Sequence, residues 1–482
     1  MVMEDLLSYA VNYAMKLGAS YAEARYQSDT FEEFTLRNGI PEAPGFGTSR
    51  GLSVRVIVSG SMGFASTNLT RKTDVKDAVV RAITIAKASS KAIKNPIKMA
   101  EVKTVKAEYV TKPRVKPEYV DPDSKVELLK DVDEKSVATT SKDDVKLPSR
   151  VFSVGYLITE KQIITSEGSS VYSRIPRVMF SYMLTAAKAG KGTAQRFENM
   201  GESGGWERVE RWLLDERVSE EANKLAKILT EAVEPPTDAL DVVLGPELVG
   251  IICHESAGHP LEADRVLGRE AAQGGETYAS RELIGERIGS EHVTIVDDPR
   301  LPNSFGYYLY DDECVEARER VLIDKGRINE LLHNRETAAE FGTISNGSSR
   351  ASSYGVEPIV RMANTYMKPG DYSLEELIED VRYGVYISSY MEWNIDDRRW
   401  NQRYVGLEAY LIKNGKLDSM LKNPTIELTT RGLYSSVDAV GKEVKFYAGY
   451  CGKSEPMQSM PVWFGGPAIR LRNVRLGRSP VS

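Results

Sequence analysis

The chain has 482 residues, 41% of them hydrophobic and 27% charged, with a formal net charge of −6. That length exceeds what one hydrophobic core usually serves, so two domains are expected. The acidic balance gives no electrostatic reason to bind nucleic acid or an anionic membrane, and no apolar run reaches the roughly 18 residues of a membrane-crossing helix.

In chain order, the first predicted element is a helix: Leu7, Ala10, Val11, Ala14 and Leu17 follow the 3.6 period, and Gly18 suits its stop. Glu4 and Asp5 suit a helix start, and the segment lacks the basic region and cleavage site of a secretion signal. Strands are expected in SYAEARYQ, FEEFTLRNG and LSVRVIV, where Leu52, Val54, Val56 and Val58 alternate with Ser53, Arg55 and Ile57. GFGTSRG, Gly45 to Gly51, superficially resembles a nucleotide loop, but it follows Pro44 and precedes a strand, so it reads as a flexible loop. Ser59-Gly60-Ser61 should turn a hairpin, and a second helix should start near Thr73 with Val75, Ala78, Val79, Ala82, Ile83 and Ala86 inward.

Residues 95–123 carry Pro96, Pro113, Pro117 and Pro122 in a Lys-rich stretch and read as an extended connector whose basic cluster is a solvated face. A helix over about Ser124 to Ala138 follows, then strands over about 150–186, then one long amphipathic helix from near Trp206 to about Leu229. Pro235-Pro236 marks the expected boundary between an N-terminal α+β domain, 1–235, and a β-rich C-terminal domain, 236–482, built around one central helix. In the second domain ALDVVLG reads as a strand, Lys325-Gly326 and Asn414-Gly415 as hairpin turns, and Ser373 with Glu376 as the capping box of a short helix.

Chemistry concentrates in PELVGIICHESAGHPLEAD. The chain has four histidines, His254, His259, His292 and His333, and two of them fall in this segment. The pattern is one residue longer than the HExxH of zinc peptidases, in which i and i+4 share a helix face. On a regular α-helix, positions i and i+5 diverge by roughly 140°. Convergence of His254 and His259 on one cation therefore requires the helix to break, which Gly258 and Pro260 could cause by moving His259 out of the α region, or to form a π-bulge. Two imidazoles and one anionic ligand would then hold Zn2+ with a position left for water, and Glu255 would stand ready as the proton-transfer group. The alternative is a pair of packing histidines on a buried helix. Spacing does not select the third ligand: Glu262, Asp264, His292, His333, Cys253, Cys314 and Cys451 all qualify by residue type. Cys253 reads as core and Cys314 as a small buried residue at the start of a strand. Cys451 lies between Gly449 and Gly452 and is equally readable as a metal ligand or a buried thiol. Glu262 and Asp264 are expected to orient an imidazole rather than to ligate. Three sparse cysteines also favour a reducing, cytoplasmic setting over a secreted disulfide scaffold.

These segments resemble the TldD/PmbA family of metalloproteases, in its TldD branch. The likeness rests on GASYAEARYQ, RGLSVRVIVSGSMGFAST and DPDSKVELL in the first half. In the second it rests on HESAGHPLEAD, YDDECVEARERVLIDKGRI, PIVRMANTYMKPGD, LEAYLIKNGKL and CGKSEPMQSMPVWFGGPAIRLRNVRLG. The resemblance implies zinc ligands at His254, His259 and Cys451, with Glu255 as catalytic acid and base. It further implies cleavage of extended, unfolded peptides held by backbone pairing with loose sequence preference, and pairing with a PmbA/TldE-like subunit, a homodimer being the alternative. Asn346 and Arg350, in SNGSSRASS, which otherwise reads as a loop, and Asn364 and Thr365 are expected near the peptide. Two departures stand out. The family's glycine-rich stretch reads GVYISSYMEWNIDDRRWNQRYVG here, which would reshape the substrate channel, and the family's glycine after the acidic run is Cys314. A non-catalytic scaffold subunit of the same family is the competing reading, and the intact HExxxH counts against it. A zinc-bound redox or lyase enzyme is a third, and the missing dinucleotide fingerprint counts against a dehydrogenase.

Overall fold

The computed structural model describes the chain from residue 2 to residue 478. The architecture is α+β. Its first half is one eight-stranded sheet ordered Ser61–Thr67, Gly45–Val58, Tyr21–Arg37, Lys146–Thr165, Ser170–Lys188, Lys106–Val110, with Ile40–Pro41 also paired to Tyr21–Arg37 and Gly192–Ser203 to Ser170–Lys188. Two helix pairs cover separate parts of it. Helices Val2–Lys16 and Lys72–Ser89 pack Leu7, Val11, Val75 and Val79 onto Leu52, Val54 and Val56. Helices Pro122–Ser141 and Leu214–Glu231 pack Leu129, Val132, Val218 and Leu225 onto Phe152, Val154, Phe180 and Tyr182. The alternating strand pattern thus aims its apolar set at the helices, as period-2 geometry requires.

The opposite face of this sheet is not a solvent face. Arg25, Arg55, Glu23 and Gln27 are all buried, because the second half of the chain lies over them. Arg55 donates to Glu23 at 2.8 Å and to Glu313 at 2.6 Å, so strand charges are matched across the seam.

Several expectations are corrected. SYAEARYQ and FEEFTLRNG are one unbroken strand, Tyr21–Arg37, and GFGTSRG is no loop but the outer end of strand Gly45–Val58, paired with Glu33 through Gln27. Cross-strand pairing to a long neighbour outweighs the low strand propensity of its glycines. The connector at 95–123 contributes Lys106–Val110 as a parallel strand beside Ser170 to Arg174. The single helix expected from Trp206 is two, Glu207–Arg211 and Leu214–Glu231, divided at Leu213, which adopts the left-handed conformation at φ 50° and ψ 55°. Ser349–Arg350, expected in a loop, pairs with Ile359–Val360. Cys314 begins no strand; it sits in a turn at φ 61°, a conformation that favours glycine.

The second half holds a nine-stranded and a six-stranded sheet. Helix Pro246–Cys253 lies between them, capped by Gly245 and Pro246, with Leu248, Val249, Ile251 and Ile252 in the largest core. It is buried on all sides, and its one charged residue, Glu247, is met by Arg196 at 2.7 Å. Gly250 permits its close approach to strand Gln458–Gly466: a Cβ there would lie 2.8 Å from Gly465 N.

Candidate active site

The buried helix runs directly into a π-helical turn, His254–Gly258, and then a 3-10 turn, His259–Leu261. The extra residue in the π-turn absorbs the offset of the i, i+5 spacing. His259 keeps helical dihedrals, φ −60° and ψ −45°, so the expected exit from the α region before Pro260 does not occur and the π-turn alone aligns the rings. The two ring centroids are 5.0 Å apart and nearly perpendicular, at 85°. Gly258 serves a different need from the expected one. Its φ is an ordinary −57°, but a Cβ would lie 1.9 Å from Met362 Sδ.

Cys451 arrives from strand Lys445–Lys453, held in register opposite Met460. Its Sγ lies 3.3 Å from His259 Nε2, and donor atoms of His254, His259 and Cys451 all fall within 4.8 Å of one another. All three side chains are buried. Burial opposes the thiolate, yet His259, Arg361 and His254 overcome it and hold the thiol well below its usual range. Burial likewise opposes a charged His259, but Cys451 and Glu262 push it up to about 9. His254 Nδ1 is buried without a hydrogen-bond partner. An anionic sulfur facing two imidazoles, one with an unsatisfied nitrogen, fits a borderline-soft divalent cation.

Around this cluster, Glu262 accepts from His259 Nδ1 at 3.1 Å and lies 3.2 Å from Lys453 Nζ. Burial opposes its charge, but Lys453 and His259 keep the carboxyl well below the usual range. Lys453, of the Cys-Gly-Lys segment, also donates to Asp264 at 2.7 Å. Neither carboxylate belongs to the cluster that could hold a cation. His292 is exposed, and His333 bonds Thr337 at 3.1 Å elsewhere.

Glu255 is buried beside the cluster and accepts from Arg399. The same segment anchors the π-turn: Ser256 donates to Gln402 at 2.8 Å, Tyr404 donates to Gln402 at 2.7 Å, and Tyr278 donates to the Ser256 carbonyl at 2.7 Å. Sequence reasoning marked the stretch around Arg399 as unusual but assigned it no contact with Glu255. The two residues are 144 positions apart, and no local signal joins them.

A cavity of about 670 Å3 opens over Glu255 and the cluster. Three strands border it, Gly192–Ser203, Tyr390–Ile395 and Lys445–Lys453, each at an edge of its own sheet. Asn346, Arg350, Asn364 and Thr365 are not on its wall. Asn346 bonds the Leu331 carbonyl at 2.8 Å, and Arg350 bonds the Met362 carbonyl at 2.6 Å. Asn364 bonds the Asp298 carbonyl at 2.7 Å, and Thr365 bonds Asp297 at 2.7 Å. The polar groups of Asn346, Asn364 and Thr365 are used within the framework.

Family models for the PmbA/TldA metallopeptidase match the chain at residues 22–86 (domain 1), 115–230 (central domain) and 237–478 (C-terminal domain). A metalloprotease of Methanocaldococcus jannaschii is 32% identical over 450 residues, covering 93% of this chain and 95% of its own. A zinc metalloprotease TldD homolog of Saccharolobus solfataricus is 28% identical over 97% of this chain and 98% of its own. The crystal structure of TldE from Thermococcus kodakarensis superposes with a TM-score of 0.73 at 19% identity, covering 99% of this chain and 100% of that one, and so shares the fold. Sequence likeness along nearly the whole chain and three matched domains place this metallopeptidase in the PmbA/TldD family.

Proposed function

We propose that the chain is a zinc-dependent peptidase that hydrolyses extended or unfolded peptides, with His254, His259 and Cys451 as ligands and Glu255 as the proton-transfer group. The observation that carries this reading is the convergence of two imidazoles and a thiolate beside a buried carboxylate at the floor of the cavity. When bound, the cation would supply a Lewis acid that polarises the scissile carbonyl and makes water a nucleophile at neutral pH. Glu255 accepts the proton of the attacking water on a carboxylate oxygen and delivers it to the leaving amine. Arg399, donating to Glu255, fixes that carboxylate in place. Glu262 accepts from His259 Nδ1, which leaves Nε2 as the nitrogen that would hold a cation.

Three sheet edges bordering one cavity support an extended substrate. An unpaired edge offers main-chain donors and acceptors to any peptide backbone, so side-chain preference is loose. Residues 236–482 then form the catalytic domain, and residues 1–235 close the channel. The TldE likeness supports a TldE-like partner subunit, with a homodimer as the other arrangement. Three unpaired thiols support a cytoplasmic setting.

The test combines metal analysis with cleavage of an unfolded peptide. Glu255→Gln should keep its zinc and lose turnover by about a hundredfold or more, whereas Cys451→Ala should lose both. Full turnover in Glu255→Gln would end this mechanism.

A further inference from the structure

We infer that a second cavity, at the seam between the N-terminal sheet and the C-terminal half, is a binding site for an organic carboxylate with an apolar body. The cavity measures about 250 Å3 and has Arg177 and Arg350 in its wall, the first on a strand of the N-terminal sheet and the second on a short strand of the other half. Their exposures are 5% and 4%.

Neither guanidinium has a carboxylate partner among the described residues. Arg177 donates to the Phe305 carbonyl at 2.7 Å and the Tyr307 carbonyl at 3.0 Å. Arg350 donates to the carbonyls of Met362 at 2.6 Å and Pro461 at 3.1 Å. Carbonyl dipoles orient these forks, and the nearest carboxylates, Asp29 for Arg177 and Asp312 and Asp297 for Arg350, act on them only from beyond ion-pair distance, so neither buried cation has a direct anionic partner among the described residues. Burial and, after it, the Arg350 charge bring Arg177 down to about 10, with Tyr450, Tyr109 and Asp29 opposing.

The three carboxylates on the same wall have donors of their own. Asp312 is held by Lys161 at 2.7 Å and Arg25 at 3.2 Å. Asp311 accepts backbone N–H groups from Glu313 at 2.9 Å, Val315 at 2.9 Å and Ser349 at 3.0 Å. Asp29 accepts from Gln27 at 2.7 Å and Thr159 at 2.8 Å, and burial pushes its carboxyl up.

The remaining lining sets the ligand's body. Tyr109, Tyr308, Tyr310, Ile163, Val171 and Met460 present rings and aliphatic carbon. Arg350 lies 5.2 Å over the Tyr308 ring, which holds its plane. A planar carboxylate suits paired guanidinium forks, and an aromatic or branched aliphatic group suits the walls. Two sources share that chemistry: a small free carboxylic acid, or the C-terminal carboxylate of a peptide. The second is admitted because Tyr450 lines both this cavity and the larger one.

Calorimetric titration of the metal-loaded full chain tests the site. The probes are phenylacetate, N-acetyl-alanyl-phenylalanine with a free C-terminus, and the neutral amide of each. At least one acid should bind saturably and more tightly than its amide by on the order of tenfold. The tighter of the two acids identifies the source, and binding by either supports the site. Arg177→Gln should weaken acid binding by a similar factor with zinc content unchanged, and Arg177→Lys should keep much of it. A crystal soaked with the tighter acid needs no variant and should show its carboxylate between Arg177 and Arg350. Equal binding of acid and amide, no saturable binding of either acid at millimolar concentration, or a carboxylate found only at the zinc site would each overturn the inference.

Discussion

Gly258 shows how one missing carbon shapes the metal cluster. Met362, 1% exposed, occupies the space a Cβ would need. Gly258→Ala should destabilise the fold by about 1–3 kcal/mol through overpacking and lower zinc content. Adding Met362→Ala should restore the zinc, measured by metal analysis. His333 carries a pH response separate from the cluster. Burial brings its imidazole down to about 4 from 6.5, with Arg318 assisting and Glu330 opposing. The folded state therefore resists a proton that the unfolded state accepts. This contribution is complete above pH 6.5 and is lost as pH falls from there through about 4. Its size is on the order of 3 kcal/mol. His333→Gln should flatten the fall in the urea midpoint over that window relative to wild type; parallel curves would refute it.

At the level of elements, the π-turn is the decisive piece, since a straight helix would set His254 and His259 on different faces. It is pinned from outside by Tyr278 and Gln402 rather than by its own sequence. The break between Glu207–Arg211 and Leu214–Glu231 is a weak point of the opposite kind. Leu213 is 57% exposed and left-handed, so its side chain gains little burial while its backbone is strained. Leu213→Asn should stabilise the chain by up to about 1 kcal/mol, raising the melting temperature; a lower one would show that the leucine contributes packing outweighing the strain.

Across the whole molecule, the seam between the halves is built from buried charge. Arg55 bridges Glu23 of the first half and Glu313 of the second. Arg55→Ala would leave two buried carboxylates without their cation and should cost about 3–5 kcal/mol. Chemical denaturation should show that loss, and a shift under 1 kcal/mol, roughly the worth of a surface pair, would mean the seam admits water. The same seam encloses the arginine-lined cavity and brings strand Gly192–Ser203 to the larger cavity over Glu255, so the first half helps to build both.

Local pattern determined the elements whose causes lie within about fifteen residues. The stripes of Val2–Lys16 and Lys72–Ser89, the capping box at Ser373 and Glu376, and the turns at Ser59-Gly60 and Asn414-Gly415 were all legible. The spacing of His254 and His259 left two readings, packing histidines on a regular helix or convergence through a distorted one, and the structure has the second. Which distortion occurred was settled by contacts from Tyr278 and Gln402, far along the chain. From residues alone Cys451 stood level between ligand and buried thiol, since nothing in its neighbourhood reports where its strand will lie. Arg399 beside Glu255, the buried charged face at Arg55 and the meeting of Arg177 and Arg350 on one cavity wall belong to tertiary structure alone. A sequence states that a side chain is charged, but what covers it, and whether an opposite charge meets it there, depends on residues hundreds of positions away.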